Sequence, residues 1–182
     1  MEIYKIRMEQ FEKLGLCEHV LKVISNKKFT KPSEIQEKTI PLILEGKDVV
    51  AGSATGSGKT LAFGSGMIKN VEKGKGIQGL ILTPTRELAE QVAEALREFA
   101  YYKDLEVVPV YGGVSISHQQ KKLVYADIVV ATPGRLLDHL KQRMVDLSKV
   151  DYLVLDEADR MWDMGFKFDV SKIVDACPKN RQ

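Results

Sequence analysis

Five short apolar runs, each followed by a polar or amphipathic segment, constrain the fold of this chain more than any other feature. They are Val49-Val50-Ala51, Leu80-Ile81-Leu82, Val107-Val108-Pro109-Val110, Ile128-Val129-Val130-Ala131 and Leu153-Val154-Leu155. A strand buried on both faces reads as a continuous apolar stretch, and strands alternating with helices give a mostly parallel sheet with helices on both faces. The pattern therefore predicts an α/β chain. Its clearest helix follows Arg86, with Leu88, Val92, Ala95, Leu96 and Phe99 on one side and Glu87, Glu90, Glu94, Arg97 and Glu98 elsewhere. That apolar stripe reads as core. Residues 11–24 predict one or two short helices broken near Gly15, residues 34–44 another helix, and Gly74-Lys75-Gly76 a turn.

With 182 residues, 44% hydrophobic and 29% charged, the chain has the composition of a soluble globular protein and the length for one domain with a full core. No stretch approaches the ~20 apolar residues of a membrane span, and Met1-Glu2-Ile3-Tyr4-Lys5 lacks the apolar core of a signal peptide, so a cytoplasmic location is expected. Cys17 and Cys177 lie near opposite ends and form neither a metal cluster nor a disulfide framework. His19, His118 and His139 match no ligand spacing and are read as surface or satisfied histidines. A net charge of +2 and a pI near 8.4 neither demand nor exclude a polyanionic partner.

Chemistry concentrates first in Ser53-Ala54-Thr55-Gly56-Ser57-Gly58-Lys59-Thr60, between an apolar run and a helical pattern carrying Leu61, Phe63, Met67 and Ile68. Gly56 and Gly58 allow positive φ and close approach of backbone to a ligand, so successive amides and the following helix N-terminus can face phosphate oxygens. Lys59 adds a mobile point charge, and the Thr60 hydroxyl suits Mg²⁺. Ser53 stands where the general phosphate-loop pattern has glycine. A plain glycine-rich turn is the structural alternative. The second cluster, Asp156-Glu157-Ala158-Asp159, ends the run Tyr152-Leu153-Val154-Leu155 at the strand edge where ligands of open α/β sheets collect. Asp156 is assigned to Mg²⁺, mostly through water, and Glu157 to orienting an attacking water. Helix capping by these acids is the alternative.

Three further clusters sit at or beyond strand ends: Thr83-Pro84-Thr85-Arg86-Glu87-Leu88-Ala89, Gly112-Gly113, and Ala131-Thr132-Pro133-Gly134-Arg135. Hydroxyls, helix-starting amides, bare glycine backbone and arginines suit a grip on successive phosphates. Capping by Thr83 and Thr132, with Pro84 and Pro133 at the first helical positions and both arginines solvated, is the alternative. A well-capped helix start is itself an anion site, so the two readings are compatible.

In this order the motifs resemble the N-terminal RecA-like domain of DEAD-box ATP-dependent RNA helicases, over essentially the whole chain. The resemblance implies a RecA-like P-loop three-layer sandwich spanning residues 1–182, with residues 1–36 as an adenine-recognition segment. It implies ATP and Mg²⁺ as cofactors, with Ala54, Thr55, Gly56, Ser57, Gly58, Lys59 and Thr60 on the phosphates and Lys59, Asp156 and Glu157 in catalysis. Phe29, Lys31 and Gln36 fall in the adenine-reading segment, Phe29 on the adenine face and the Gln36 amide on its edge, with Phe11 as the isolated upstream aromatic. Pro84, Thr85, Arg86, Gly112, Gly113, Thr132, Pro133, Gly134 and Arg135 are implied RNA contacts, largely indifferent to base sequence and directed at single strands or short duplexes. Two departures stand out. Lys28 occupies a position where the family usually has glycine, and Ser53-Ala54 replaces the usual opening of the phosphate loop. Trp162 is expected to pack near a second-domain side. Beyond Gln182 the resemblance implies a strand bearing Ser-Ala-Thr and a second RecA-like domain supplying arginine fingers, so the fragment is expected to be monomeric, to bind nucleotide and to turn it over poorly. A DNA helicase, or a catalytically idle RNA- or protein-binding module, is the alternative function.

Overall fold

A computed structural model describes residues 2–54 and 56–182. The chain resolves into two compact units: the residues up to Asn70 together with Ala95–Asp104, and Val71–Glu94 together with Leu105–Gln182.

The first unit is helical, with α1 (Glu2–Lys13), α2 (Glu18–Asn26), α3 (Glu34–Leu44) and α4 (Lys59–Asn70). The break expected near Gly15 falls between α1 and α2, where that glycine has φ +84°. α2 turns Val20, Val23 and Ile24 into the core, and α3 packs along α4. The isolated aromatic Phe11 is itself core, 1% exposed. The Lys103 ammonium donates to the Ile68 and Lys69 carbonyls, both at 2.8 Å, satisfying acceptors that the last turn of α4 leaves open. α2 ends in a Schellman motif, with Phe29 N donating to Ile24 O (3.2 Å) and Lys28 N to Ser25 O (3.0 Å). That motif puts Lys28 at φ +55°, which a side chain disfavours and glycine does not.

The second unit carries the sheet. Strands β1 (Gly79–Leu82), β2 (Val107–Val110), β3 (Ile128–Ala131) and β4 (Tyr152–Leu155) are all parallel, in the order β2-β3-β1-β4. The four finish in register, with Val110 beside Ala131, Ala131 beside Leu82, and Leu82 beside Leu155. Leu80, Leu82, Val108, Val110, Val129 and Ala131 form one core face, joined by Leu123, Leu136 and Ile173 from helices α6 (Ile116–Leu123), α7 (Pro133–Lys141) and α9 (Lys167–Ala176). Ile81, Val107, Ile128 and Val130 on the opposite face are equally buried. Each such aliphatic side chain contributes about 1.5–3 kcal/mol relative to exposure. Helix α5 (Arg86–Ala100) follows β1; of its expected stripe Val92, Leu96 and Phe99 are buried and Leu88 and Ala95 half-buried, while Ala89 and Ala93, outside that stripe, are buried as well. A short helix α8 (Ala158–Asp163) follows β4.

One expected strand is not formed. Residues 47–54 carry no regular secondary structure and Val50 is fully exposed, so the sheet has four strands among the described residues where the apolar runs suggest five. An apolar run without a ladder partner has no pleated surface to pack on, and propensity alone does not hold it.

At the amino end of the sheet, Asp127 is fully buried just before β3. One carboxylate oxygen accepts from Gly74 N (2.7 Å), in the expected 74–76 turn, and the other from Glu106 N (2.9 Å), ahead of β2. Its carbonyl accepts from Gln78 N and Gly79 N, at the entry to β1. Nothing in the sequence pattern singles Asp127 out.

Lys28→Gly relieves the left-handed strain at the end of α2, less the backbone entropy that glycine adds to the unfolded chain. A net gain of about 0.5–1 kcal/mol is expected, read as a higher urea midpoint with an unchanged m-value. An unchanged or lower midpoint would show that the strain is compensated elsewhere.

Candidate phosphate loop and sheet-edge clusters

In the first unit the phosphate-loop residues run into the start of α4. Lys59, the first helical residue, folds its ammonium back onto the Ser53 carbonyl at 3.0 Å, and the Ser53 and Ser57 hydroxyls meet at 2.7 Å. The loop thus stores its cation on its own backbone, and a phosphate would replace that carbonyl with a charged acceptor. Gly56 and Gly58 take φ +78° and +93°, as a nest of amides requires. Thr55 lies outside the described residues. Ala54 is exposed, and Thr60 is half-buried at the second position of the helix.

Gln36 stands on the third position of α3, buried to 7% exposure. Its Oε1 accepts from Ser33 N (3.0 Å) and its Nε2 donates to Gly58 O (3.1 Å). The amide that sequence reasoning assigns to an adenine edge is therefore committed here to capping α3 and bracing the phosphate loop. A Cβ on Gly58 would meet Gln36 Nε2 at 2.3 Å. Phe29 and Lys31 are both exposed.

In the second unit the carboxyl edge of the sheet gathers the remaining clusters. Three of the four begin with an amide that completes the ladder on the neighbouring strand: Thr132 N on Val110 O, Thr83 N on Ala131 O and Asp156 N on Leu82 O, all at 2.9 Å. The strand order places Gly112-Gly113, Thr132–Arg135, Thr83–Arg86 and Asp156-Glu157 side by side, about 4.8 Å per strand step.

Helix starts follow, with one change from expectation. Thr85, not Thr83, caps α5, its hydroxyl accepting from Leu88 N (3.2 Å), while the Thr83 hydroxyl donates to Thr85 O (3.3 Å). Pro84 therefore precedes the helix rather than opening it. Thr132 and Pro133 do occupy the N-cap and first position of α7, with no bond from the Thr132 hydroxyl to the helix amides. Arg135 is half-buried and anchored by hydrogen bonds, whereas Arg86 is exposed and rests on a ring. Arg86 lies 4.9 Å over the Tyr111 ring, and its terminal nitrogen would be 3.6 Å from a Cβ on Gly113. Tyr111 donates to Glu90, and that bond, with burial and the Glu90 charge, raises the phenol above its ordinary value against the opposing pull of Arg86. Arg135 donates to Val114 O (2.9 Å) and to Gln119 Oε1 (3.2 Å). A Cβ on Gly112 or Gly134 would meet open space, and neither residue has positive φ, so the fold itself does not demand glycine at either place.

Asp156 is buried at the end of β4. Glu157 adopts φ +51°, ψ +49°, an unfavourable left-handed conformation for a carboxylate residue, of the kind that clusters at working sites. It caps α8 through backbone only, and its side chain pairs with Arg160 at 3.1 Å. Trp162 is partly exposed on α8.

Residues that sequence reasoning missed lie behind these clusters. Tyr111, Glu90 and Gln119 have no motif of their own. His139 is neither on the surface nor fully satisfied: it is entirely buried, with Nε2 3.2 Å from Gln119 Oε1 and Nδ1 unpartnered. Burial, and then the Arg135 charge, lowers its pKa below the ordinary value. Cys177, also buried, hydrogen-bonds the Ile173 carbonyl as core filler, and burial raises its thiol pKa.

The sequence model of the DEAD/DEAH box helicase family matches residues 33–182. The chain belongs to this family. It is 45% identical, over 98% of its length, to a protein of Methanocaldococcus jannaschii named "Probable ATP-dependent RNA helicase", and covers 49% of that protein. It is 48% identical over 96% of its length to the ATP-dependent RNA helicase CshA of Listeria monocytogenes, of which it covers 34%. The crystal structure of a DEAD box protein from Methanococcus jannaschii superposes with a TM-score of 0.91 at 46% identity, covering 95% of this chain and 48% of that one. The chain thus has the RecA-like α/β fold of a DEAD-box helicase domain and spans half or less of the length of these relatives.

Gly58→Ala tests how tightly Gln36 and the loop are coupled. The Gln36 side chain can swing away, but φ +93° remains strained, and the bond to Gly58 O is lost with the swing. A loss of at least about 1 kcal/mol is expected in urea unfolding, with ADP affinity reduced at least tenfold by calorimetry. Parental stability and affinity together would contradict the coupling.

Proposed function

We propose that this chain is the ATP- and RNA-binding N-terminal half of an ATP-dependent RNA helicase, with residues 1–36 contributing adenine recognition. The observation that carries the reading is the row of clusters in register along the carboxyl edge of β1–β4, set out by strand order and pinned by the last ladder bonds. Family membership supports it independently.

Each side chain has a definite task. Lys59 exchanges the Ser53 carbonyl for outer phosphate oxygens, and the amides of Gly56 and Gly58, with that of Ser57 once it leaves the Ala54 carbonyl, take the phosphates behind them. Thr60 and Asp156 offer hard oxygen donors of the kind magnesium prefers. Magnesium keeps several of its waters and shares phosphate oxygens, so a few such donors are enough. When bound, that ion would neutralise charge on the phosphates. Glu157 would orient the attacking water, its backbone strain holding the carboxylate at the head of α8. For adenine, the Gln36 amide must exchange its present partners for the base edge while Phe29 packs on the ring, which links base recognition to the phosphate loop.

On the RNA side, Gly112 and Gly134 leave backbone in open space for a sugar-phosphate chain, flanked by Arg86 and Arg135. Contacts of this kind read phosphate and sugar rather than base sequence. A second RecA-like domain would supply an arginine finger worth roughly 10³–10⁵ in rate, so this half alone turns ATP over slowly. No helix among the described residues is long and apolar enough to cross a membrane. Location in the cytoplasm and a monomeric state belong to the proposal.

Lys59→Ala is expected to weaken ATP binding at least a hundredfold in isothermal titration; equal affinity in both proteins would remove the phosphate-loop assignment. Gln36→Ala should lessen the preference for ADP over GDP, and an unchanged ratio would free Gln36 of base reading. In the two-domain parent, single-stranded RNA should stimulate ATP hydrolysis, with Glu157→Gln abolishing turnover while retaining ATP binding. A parent whose hydrolysis ignores RNA would end the helicase reading.

A further inference from the structure

Behind the sheet-edge clusters, one buried amide touches two of them. Gln119, on α6 and 4% exposed, donates from Nε2 to the Tyr111 carbonyl at 3.0 Å, immediately before Gly112-Gly113. Its Oε1 accepts from Arg135 at 3.2 Å and faces His139 Nε2 at the same distance. With Oε1 as acceptor, His139 must carry its proton on Nε2, leaving the unpartnered Nδ1 as a buried lone pair. A second proton there would set another cation beside Arg135 in a buried place with no acceptor, in keeping with the lowered His139 pKa. The node therefore carries the arginine charge alone.

The guanidinium is fixed through one terminal nitrogen, to Val114 O and Gln119 Oε1. Those two acceptors orient the plane and leave the other donors of the fork for a ligand. The same amide secures the carbonyl of Tyr111, whose ring lies under Arg86. One side chain thus ties the loop of Gly112-Gly113 to the arginine of the Thr132–Arg135 cluster.

We propose that Gln119 is a positioning residue for RNA: it holds Arg135 and the Gly112-Gly113 loop in one register so that they engage the same backbone. The proposal rests on the RNA-binding reading of those clusters. Gln119 itself does not touch the RNA, so its removal acts through Arg135 while taking away no charge.

The test measures binding of this chain to a fluorescent single-stranded oligouridine by anisotropy across a salt series. Arg135→Ala should lose about tenfold in affinity and flatten the slope of log K against log salt by about 0.7, one phosphate contact on a single strand. Gln119→Met, similar in size and without hydrogen bonds, should produce a similar flattening although the net charge is unchanged. The double variant should bind within about threefold of Arg135→Ala, since the two losses are one contact. A Gln119 that merely stabilises the fold would leave the slope alone and add its loss to that of Arg135→Ala, and either result overturns the proposal. Should Gln119→Met not fold, Gln119→Asn keeps a polar group in the site on an arm too short for both partners and must flatten the slope likewise. If Arg135→Ala binds like the parent, or the parent binds no oligouridine, the RNA-binding reading fails and the proposal with it. Loss in Arg135→Ala with parental behaviour in Gln119→Met rejects the positioning role alone.

Discussion

The last rung of a parallel ladder organises everything chemical in the second unit. Thr132, Thr83 and Asp156 each donate their amide to the final residue of the neighbouring strand, so three clusters begin at the same height on the sheet. Parallel strands make this possible because their carboxyl ends all point one way, and the common finish of Val110, Ala131, Leu82 and Leu155 makes it exact to the residue. The burial of β1, β2 and β3 shields most of the ladder from water, while β4 is half-buried along its length. Slippage of any strand by one residue would exchange the side chains of its two buried faces, disturbing both sets of packing contacts, and carry its cluster out of line with the others.

The first unit works by substitution rather than alignment. Lys59 rests on a carbonyl, and Gln36 rests on one carbonyl and one amide. Both are polar groups kept satisfied by the chain until a better partner arrives. This lowers the cost of an empty loop and makes nucleotide binding an exchange of hydrogen bonds, so the net gain per bond is the modest difference between partners.

Much of this was legible in the sequence. Continuous apolar runs gave β1–β4 almost to the residue, and the stripe after Arg86 gave α5, because burial on both faces or on one leaves a period that composition cannot hide. The phosphate loop and the acids were visible because their chemistry permits few residue types. The fifth run failed as a strand since a strand exists only with a neighbour, and residues 47–54 pair with no strand among the described residues. The alternative of Thr83 as cap fails because two threonines flank one proline and either could start a helix; only the hydroxyl geometry of Thr85 decides. Gln119, His139 and Asp127 were invisible for another reason. A glutamine on a short helix, a lone histidine and a lone aspartate carry meaning only through partners 8 to 53 residues away, and no local pattern marks such pairs.

Asp127 sits at the other end of the strands, receiving the amides of Gly74 and Glu106 on its two oxygens and those of Gln78 and Gly79 on its carbonyl. A single carboxylate residue thereby gathers three chain segments before they enter the sheet, at the margin farthest along the strands from the reactive clusters. Architecture and chemistry are consequently divided between opposite rims of one sheet, so the loops of one rim can diversify while the foundations of the other stay as they are.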